Sequence, residues 1–117
     1  MKIAVTTDGI RDEEAALAAL REQGLHVIAL TVDPVDNESH WHHFDAEFHI
    51  LSGTLALTEV STGQVHRCEA GSRVAVPARV LHAETSGDGY RIALGTSVPA
   101  EAFGDPVNLP PQALADS

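Results

Sequence analysis

The sequence predicts an all-β fold, a barrel or sandwich, with one short helix packed outside it. From Leu25 onward, short runs rich in β-branched residues alternate with turn signals instead of with helical patterns. The chain has 117 residues, of which 44% are hydrophobic and only 4% aromatic. This length suits one domain, and this composition suits a core built from Val, Leu, Ile and Ala.

The elements can be predicted in chain order. A helix is expected over residues 12–23, because Asp12 can cap its start, acidic residues fill its first turn and Gly24 follows as a stop. Strands are expected over 25–32, 48–60, 65–69, 74–76, 80–86 and 90–97, with a loop over 36–39.

Four prolines after Val98 indicate an extended or loosely docked tail. We therefore divide the chain into three parts. An N-terminal strand and helix segment covers residues 1–24, the barrel covers 25–97 and a Pro-rich tail covers 98–117.

The charge balance restricts the partners of this protein. Seventeen acidic residues against seven basic ones give a formal charge of −10, which argues against nucleic acid or an anionic membrane as a partner. A single cysteine, Cys68, excludes an internal disulfide framework and fits a reducing compartment. No apolar run approaches the roughly 20 residues that span a bilayer. We expect a cytoplasmic protein.

The histidines carry the strongest functional signal. His40 and His42 are separated by one residue, so on an extended strand both imidazoles lie on one face. His82 follows a turn that contains Gly71 and, six residues later, Pro77. If a neighbouring strand delivers it, the three imidazoles complete a site for a divalent metal. Imidazole suits Zn, Fe, Ni and Cu.

These residues resemble the two sequence motifs of the cupin superfamily. His40, His42, Glu47 and Gly53 resemble the first motif, whereas Gly71, Pro77 and His82 resemble the second. Arg79 stands where the family usually has Gly. The resemblance implies a small cupin-type barrel, that is a double-stranded β-helix, which associates as a homodimer. It also implies a divalent ion (Zn, Fe, Ni or Mn) and a small-molecule ligand inside the barrel.

Strand parity decides which carboxylate can serve as a fourth metal ligand. If His40 and His42 point inward, the even-numbered residues that follow form the pocket wall: Phe44, Ala46, Phe48 and Ile50. Glu47 then lies on the opposite face and reaches the metal only if a bulge intervenes. Counting back from Gly53, the family's Glu position falls on Ala46. Asp45 is an alternative, as a ligand or as an acceptor that orients a histidine.

Three classes of function remain open. The first is a metal-dependent enzyme of the oxygenase, isomerase or decarboxylase type, for which Glu47, Asp45, Glu84 and Tyr90 are the available acid–base groups. The second is a metal-containing module that binds a small ligand without turnover. The third is a barrel without metal. A fold alone does not decide among them.

Overall fold

The structure is a computed structural model that describes residues 2–115. Its strands are β1 (Ala4–Thr6), β2 (His26–Val32), β3 (Val35–Asp36), β4 (Ala46–Glu59), β5 (Gln64–Glu69), β6 (Arg73–Val76), β7 (His82–Ser86) and β8 (Tyr90–Thr96). Helix α1 spans Glu13–Glu22, a 3-10 turn spans Ala100–Ala102 and helix α2 spans Pro111–Ala115. None of these helices is long and apolar enough to cross a membrane.

Two antiparallel layers share the long strand β4. One layer has the order β1-β6-β4-β8-β2 and the other the order β3-β7-β4-β5. The strand changes layers near Gly53, which has φ +84° and would bring a Cβ within 2.3 Å of the Gly89 carbonyl oxygen. Only glycine accepts both this backbone and this close approach without strain. The bend lets the two layers close around one core.

The core lies between the two layers. It includes Phe48, Ile50, Leu55, Leu57 and Ile92, all buried. These side chains come from alternating positions of their strands, as expected for a sheet with one buried face. The predicted all-β barrel is therefore confirmed.

Helix α1 packs on the outside of the barrel, as predicted. The Asp12 carboxylate accepts a hydrogen bond from the Ala15 N–H (2.9 Å) and so caps the start of the helix. Ala16 and Leu20 are fully buried against Ala93 of β8. The helix thus covers the outer face of the layer that contains β8.

Two segments differ from the sequence-based expectation. Val35 and Asp36 form a short strand that pairs with β7, because the turn at Pro34 returns the chain alongside that strand. The segment after Val98 is also less extended than expected, since it contains a 3-10 turn and helix α2. This segment pairs with the barrel at Leu109, whose backbone bridges to that of Trp41.

Candidate metal centre

The structure brings the three predicted histidines together. His40 and His82 lie opposite each other and exchange two backbone hydrogen bonds of 2.9 Å. Their ring centroids are 4.4 Å apart, and the ring of His42 lies 5.1 Å from each of them. One ring nitrogen from each histidine lies within 4.8 Å of the other two. This cluster can hold a metal ion.

All three histidine rings turn the same nitrogen, Nδ1, toward the backbone. In every case Nδ1 lies close to a backbone carbonyl oxygen, which can only accept a hydrogen bond. The distances are 2.8 Å from His40 to Glu38, 3.1 Å from His42 to Val107 and 2.8 Å from His82 to Val80. Each Nδ1 therefore carries a hydrogen, and each Nε2 is the nitrogen left to bind a metal. Metal-binding histidines in proteins are commonly oriented in this way.

Glu84 is a fourth member of the cluster that the metal-site prediction did not include. Its Oε1 lies 3.4 Å from Nε2 of His40 and 3.7 Å from Nε2 of His82. Its Oε2 accepts a hydrogen bond of 2.9 Å from the Tyr90 hydroxyl. The signal in the sequence is the spacing of two between His82 and Glu84 on one strand, which puts both side chains on the same face.

The assignment of Glu47 needs a correction. Its carboxylate lies outside the barrel, 3.3 Å from Nη2 of Arg73 and 2.8 Å from the amide of Gln23, and so does not join the three histidines. The reason is strand parity within β4, since Ala46 lines the cavity and the next residue, Glu47, faces the other way. Asp45 is also elsewhere, because its carboxylate accepts a hydrogen bond from the Ala78 N–H (2.7 Å).

A cavity of about 290 Å³ adjoins the cluster. Phe44, Ala46 and Phe48 line it, as predicted for the even-numbered residues after His42. Ile50 does not line it and lies in the fully buried core instead, which corrects its assignment to the pocket. The polar residues that line the cavity include His42, His82, Glu84, Tyr90, Asn37 and Asn108. The cavity is mainly apolar, and its polar lining includes two of the three histidines and Glu84.

Burial keeps two of the histidines neutral. It lowers the pKa of His82 to about 4, and it also lowers the pKa of His42. In both residues the carbonyl partner of Nδ1 opposes this effect without reversing it. The Nε2 lone pairs of His42 and His82 are therefore available for a metal at neutral pH.

His40 and Glu84 shift each other's pKa. Burial by itself lowers the pKa of His40, but the hydrogen bonds to Glu84 and to the Glu38 carbonyl outweigh it, so the pKa is raised. Burial likewise raises the pKa of Glu84, but hydrogen bonds from His40 and Tyr90 outweigh it and the pKa is lowered. Glu84 therefore favours the protonated form of His40, and protons compete with a metal ion for this residue.

The unusual residue of the second motif has a strained backbone. Arg79 has φ +67°, a left-handed conformation that favours glycine. This explains why a glycine would suit the position. The Arg79 N–H donates a 2.9 Å hydrogen bond to the carbonyl of His42, and its guanidinium lies 5.4 Å from the centroid of the Trp41 ring. The turn thereby supports the segment that carries His42.

Comparison with known proteins identifies the class of this fold. No protein-family model matches the chain, and no curated protein matches it. Among solved structures, the chain is similar to a cupin-2 domain-containing protein from Shewanella frigidimarina, at 22% identity and a TM-score of 0.50. The likeness covers 58% of this chain and 65% of that one.

Two enzymes also share the fold. A TDP-quinovose 3,4-ketoisomerase from Campylobacter jejuni matches 99% of this chain and 98% of its own, with 10% identity and a TM-score of 0.66. Acireductone dioxygenase from Bacillus anthracis, with a cadmium ion in its active centre, matches 78% of this chain and 62% of its own, with 19% identity and a TM-score of 0.59. These likenesses confirm the cupin-type barrel that the two sequence motifs predict.

Proposed function

We propose that this protein binds a divalent metal ion through His40, His42, His82 and Glu84 and holds a small organic molecule beside it. The observation that carries the proposal is the common orientation of the three histidine rings. Each Nδ1 faces a backbone carbonyl, so Nε2 is the nitrogen of each ring that remains for a metal, and the Glu84 carboxylate lies beside two of these Nε2 atoms. Three imidazoles and one carboxylate suit Zn, Fe, Ni or Mn.

The cavity supports a small ligand with an uncharged body. Its volume of about 290 Å³ is near the lower end of the roughly 300–1,000 Å³ typical of small-molecule sites. Among the described residues that line it, none is Lys or Arg, and the amides of Asn37 and Asn108 offer hydrogen bonds. A bound divalent ion would supply a Lewis acid that polarises an oxygen atom of the ligand.

The metal and the small molecule can serve either a reaction or binding alone. A binding module without turnover is the second candidate, beside a metal-dependent enzyme. Glu84 is the carboxylate that lines the cavity, yet its two oxygens already contact His40, His82 and the Tyr90 hydroxyl. A carboxylate held in this way, with a lowered pKa, is a weak general base. The ketoisomerase and the dioxygenase of the same fold support the enzymatic alternative, as a likeness of fold only.

Metal analysis tests the proposal. The protein, purified without a histidine tag and dialysed against trace divalent ions, is expected to hold about one ion per chain by mass spectrometry. His42→Ala and His82→Ala should each abolish stoichiometric binding. Glu47→Ala is the matched control and should retain the ion, because Glu47 lies outside the barrel beside Arg73. Metal-free wild-type protein, or full occupancy in His42→Ala, would contradict the proposal.

A further inference from the structure

Residues 103–110, here called the C-terminal strap, are anchored to the barrel through Trp41. The Trp41 and Leu109 backbones exchange hydrogen bonds of 3.1 and 3.0 Å, and the indole N–H donates to the Pro110 carbonyl at 2.8 Å. The Trp41 side chain is only 1% exposed. A buried indole needs a partner for its N–H, and the strap provides it.

The strap also reaches the candidate metal ligand His42. The Val107 carbonyl oxygen lies 3.1 Å from Nδ1 of His42. The ring of Phe103 stacks on Phe44 with centroids 4.4 Å apart and an interplanar angle of 18°. Phe44 in turn stacks on His42 at 5.1 Å and 14°. One hydrogen bond and one column of rings therefore connect the strap to a single histidine.

The three histidines differ in where their carbonyl partners come from. His40 and His82 use the carbonyl two residues before them, so the local chain orients both rings. His42 uses a carbonyl that is 65 residues away in the sequence. Without the strap, the His42 ring can rotate and either of its nitrogens can carry the hydrogen.

We infer that the C-terminal strap is a positioning element of the metal centre, which fixes the tautomer and orientation of His42 through the Val107 carbonyl and the Phe103 ring. The inference rests on the proposed metal-binding function. Loss of a group that orients a metal ligand typically weakens metal binding by about 10–100-fold. The same loss would open the cavity, because Phe103, Val107 and Asn108 form part of its wall.

Two variants of the full chain test the inference by metal affinity. Phe103→Ala removes the ring column, and Leu109→Pro removes the N–H that the Trp41 carbonyl accepts. Each should weaken Zn²⁺ binding by about 10–100-fold in competition with a chelating indicator. Phe103→Tyr should retain the wild-type affinity for Zn²⁺, since it keeps the stacked ring. Asp105→Ala is the matched control, because it changes an exposed residue of the same strap that does not line the cavity, and its affinity should stay within about twofold.

A second measurement does not depend on metal. Nitrogen NMR of the histidine rings in the metal-free protein should show the Nδ1–H form of His42 in wild type and in Asp105→Ala. In Phe103→Ala and Leu109→Pro it should show a mixture of tautomers, with His82 unchanged. Wild-type affinity and an unchanged His42 ring in both variants would overturn the inference. If wild type binds no zinc, the proposed function fails, and the ring spectra still decide whether the strap orients His42.

Discussion

Glu84 sets the charge of the candidate metal centre at the scale of single residues. Its carboxylate contacts two histidine Nε2 atoms and raises the pKa of one of them, His40. A metal ion binds only the unprotonated form of His40, so protons compete with the ion for this residue. Metal binding should therefore weaken as the pH falls.

The substitution Glu84→Gln tests this role. We expect the pKa of His40 to fall in the metal-free protein, because the carboxylate that raises it is gone while burial still lowers it. Histidine NMR titration measures this pKa. We also expect metal binding to weaken by at least about tenfold, and calorimetry in buffers of different ionisation enthalpy to show fewer protons released. An unchanged His40 pKa would mean that Glu84 does not contact His40 in solution.

At the scale of single residues, the sequence predicts the position of a side chain where strand parity decides on which face it lies. The spacing of His40 and His42 and the second motif at His82 were sufficient to predict that the three histidines lie together. Parity also indicated that Glu47 faces away from the pocket unless a bulge intervenes, and the structure places its carboxylate beside Arg73. The contact of Glu84 with His40 was not predictable, because it depends on which residues of two distant segments lie opposite each other.

The bend of β4 is the decisive feature at the scale of elements. Gly53 combines φ +84° with a Cβ position 2.3 Å from a carbonyl oxygen, whereas Gly63 in the following turn has φ +73° and open space around it. Both positions carry backbone strain for any other residue. Only Gly53 adds a steric clash with backbone atoms that cannot move without shifting β8.

We expect Gly53→Ala and Gly63→Ala to differ in their effect on stability. Gly63→Ala should lower the free energy of unfolding by about 1 kcal/mol, the cost of a left-handed backbone with a side chain. Gly53→Ala should lower it by about 3 kcal/mol or more, because strain and clash add. Urea denaturation measures both. Equal losses in the two variants would show that the backbone at Gly53 relaxes freely.

Elements with strong local signals were predictable, whereas those fixed by distant contacts were not. Helix α1 has a capping aspartate, acidic residues in its first turn and a glycine stop, and it begins and ends within one residue of the prediction. Strand β3 exists because Val35 and Asp36 pair with β7, some fifty residues away. The course of the C-terminal segment likewise depends on Trp41, whose burial no local pattern indicates.

At the scale of the whole molecule, the buried histidines make stability depend on pH. Burial lowers the pKa of His82 from an ordinary 6.5 to about 4. Between these values the unfolded chain binds a proton that the folded chain does not, so stability falls as the pH decreases from about 6.5 to 4. His42 acts in the same direction. His40, with its raised pKa, acts in the opposite direction and reduces the net loss.

We expect the metal-free protein to lose about 2 kcal/mol of stability between pH 7 and pH 4.5. Urea denaturation of chelator-treated protein at the two pH values gives this difference. His82→Gln should show a smaller difference, because that residue then has no proton to bind. A stability that is constant, or that increases toward pH 4.5, would contradict the assignment of His82 as a buried neutral imidazole.

The shared strand β4 also has a consequence for how fast the chain folds. It pairs with β5, β6, β7 and β8, and its partners extend as far along the chain as Thr96. Such non-local pairing places folding in the slow range of roughly milliseconds to seconds, since long loops must close before the contacts form. Until β8 is in place, β4 exposes unpaired edges on which two nascent chains can associate. Chain concentration during refolding is therefore expected to govern the yield of the barrel.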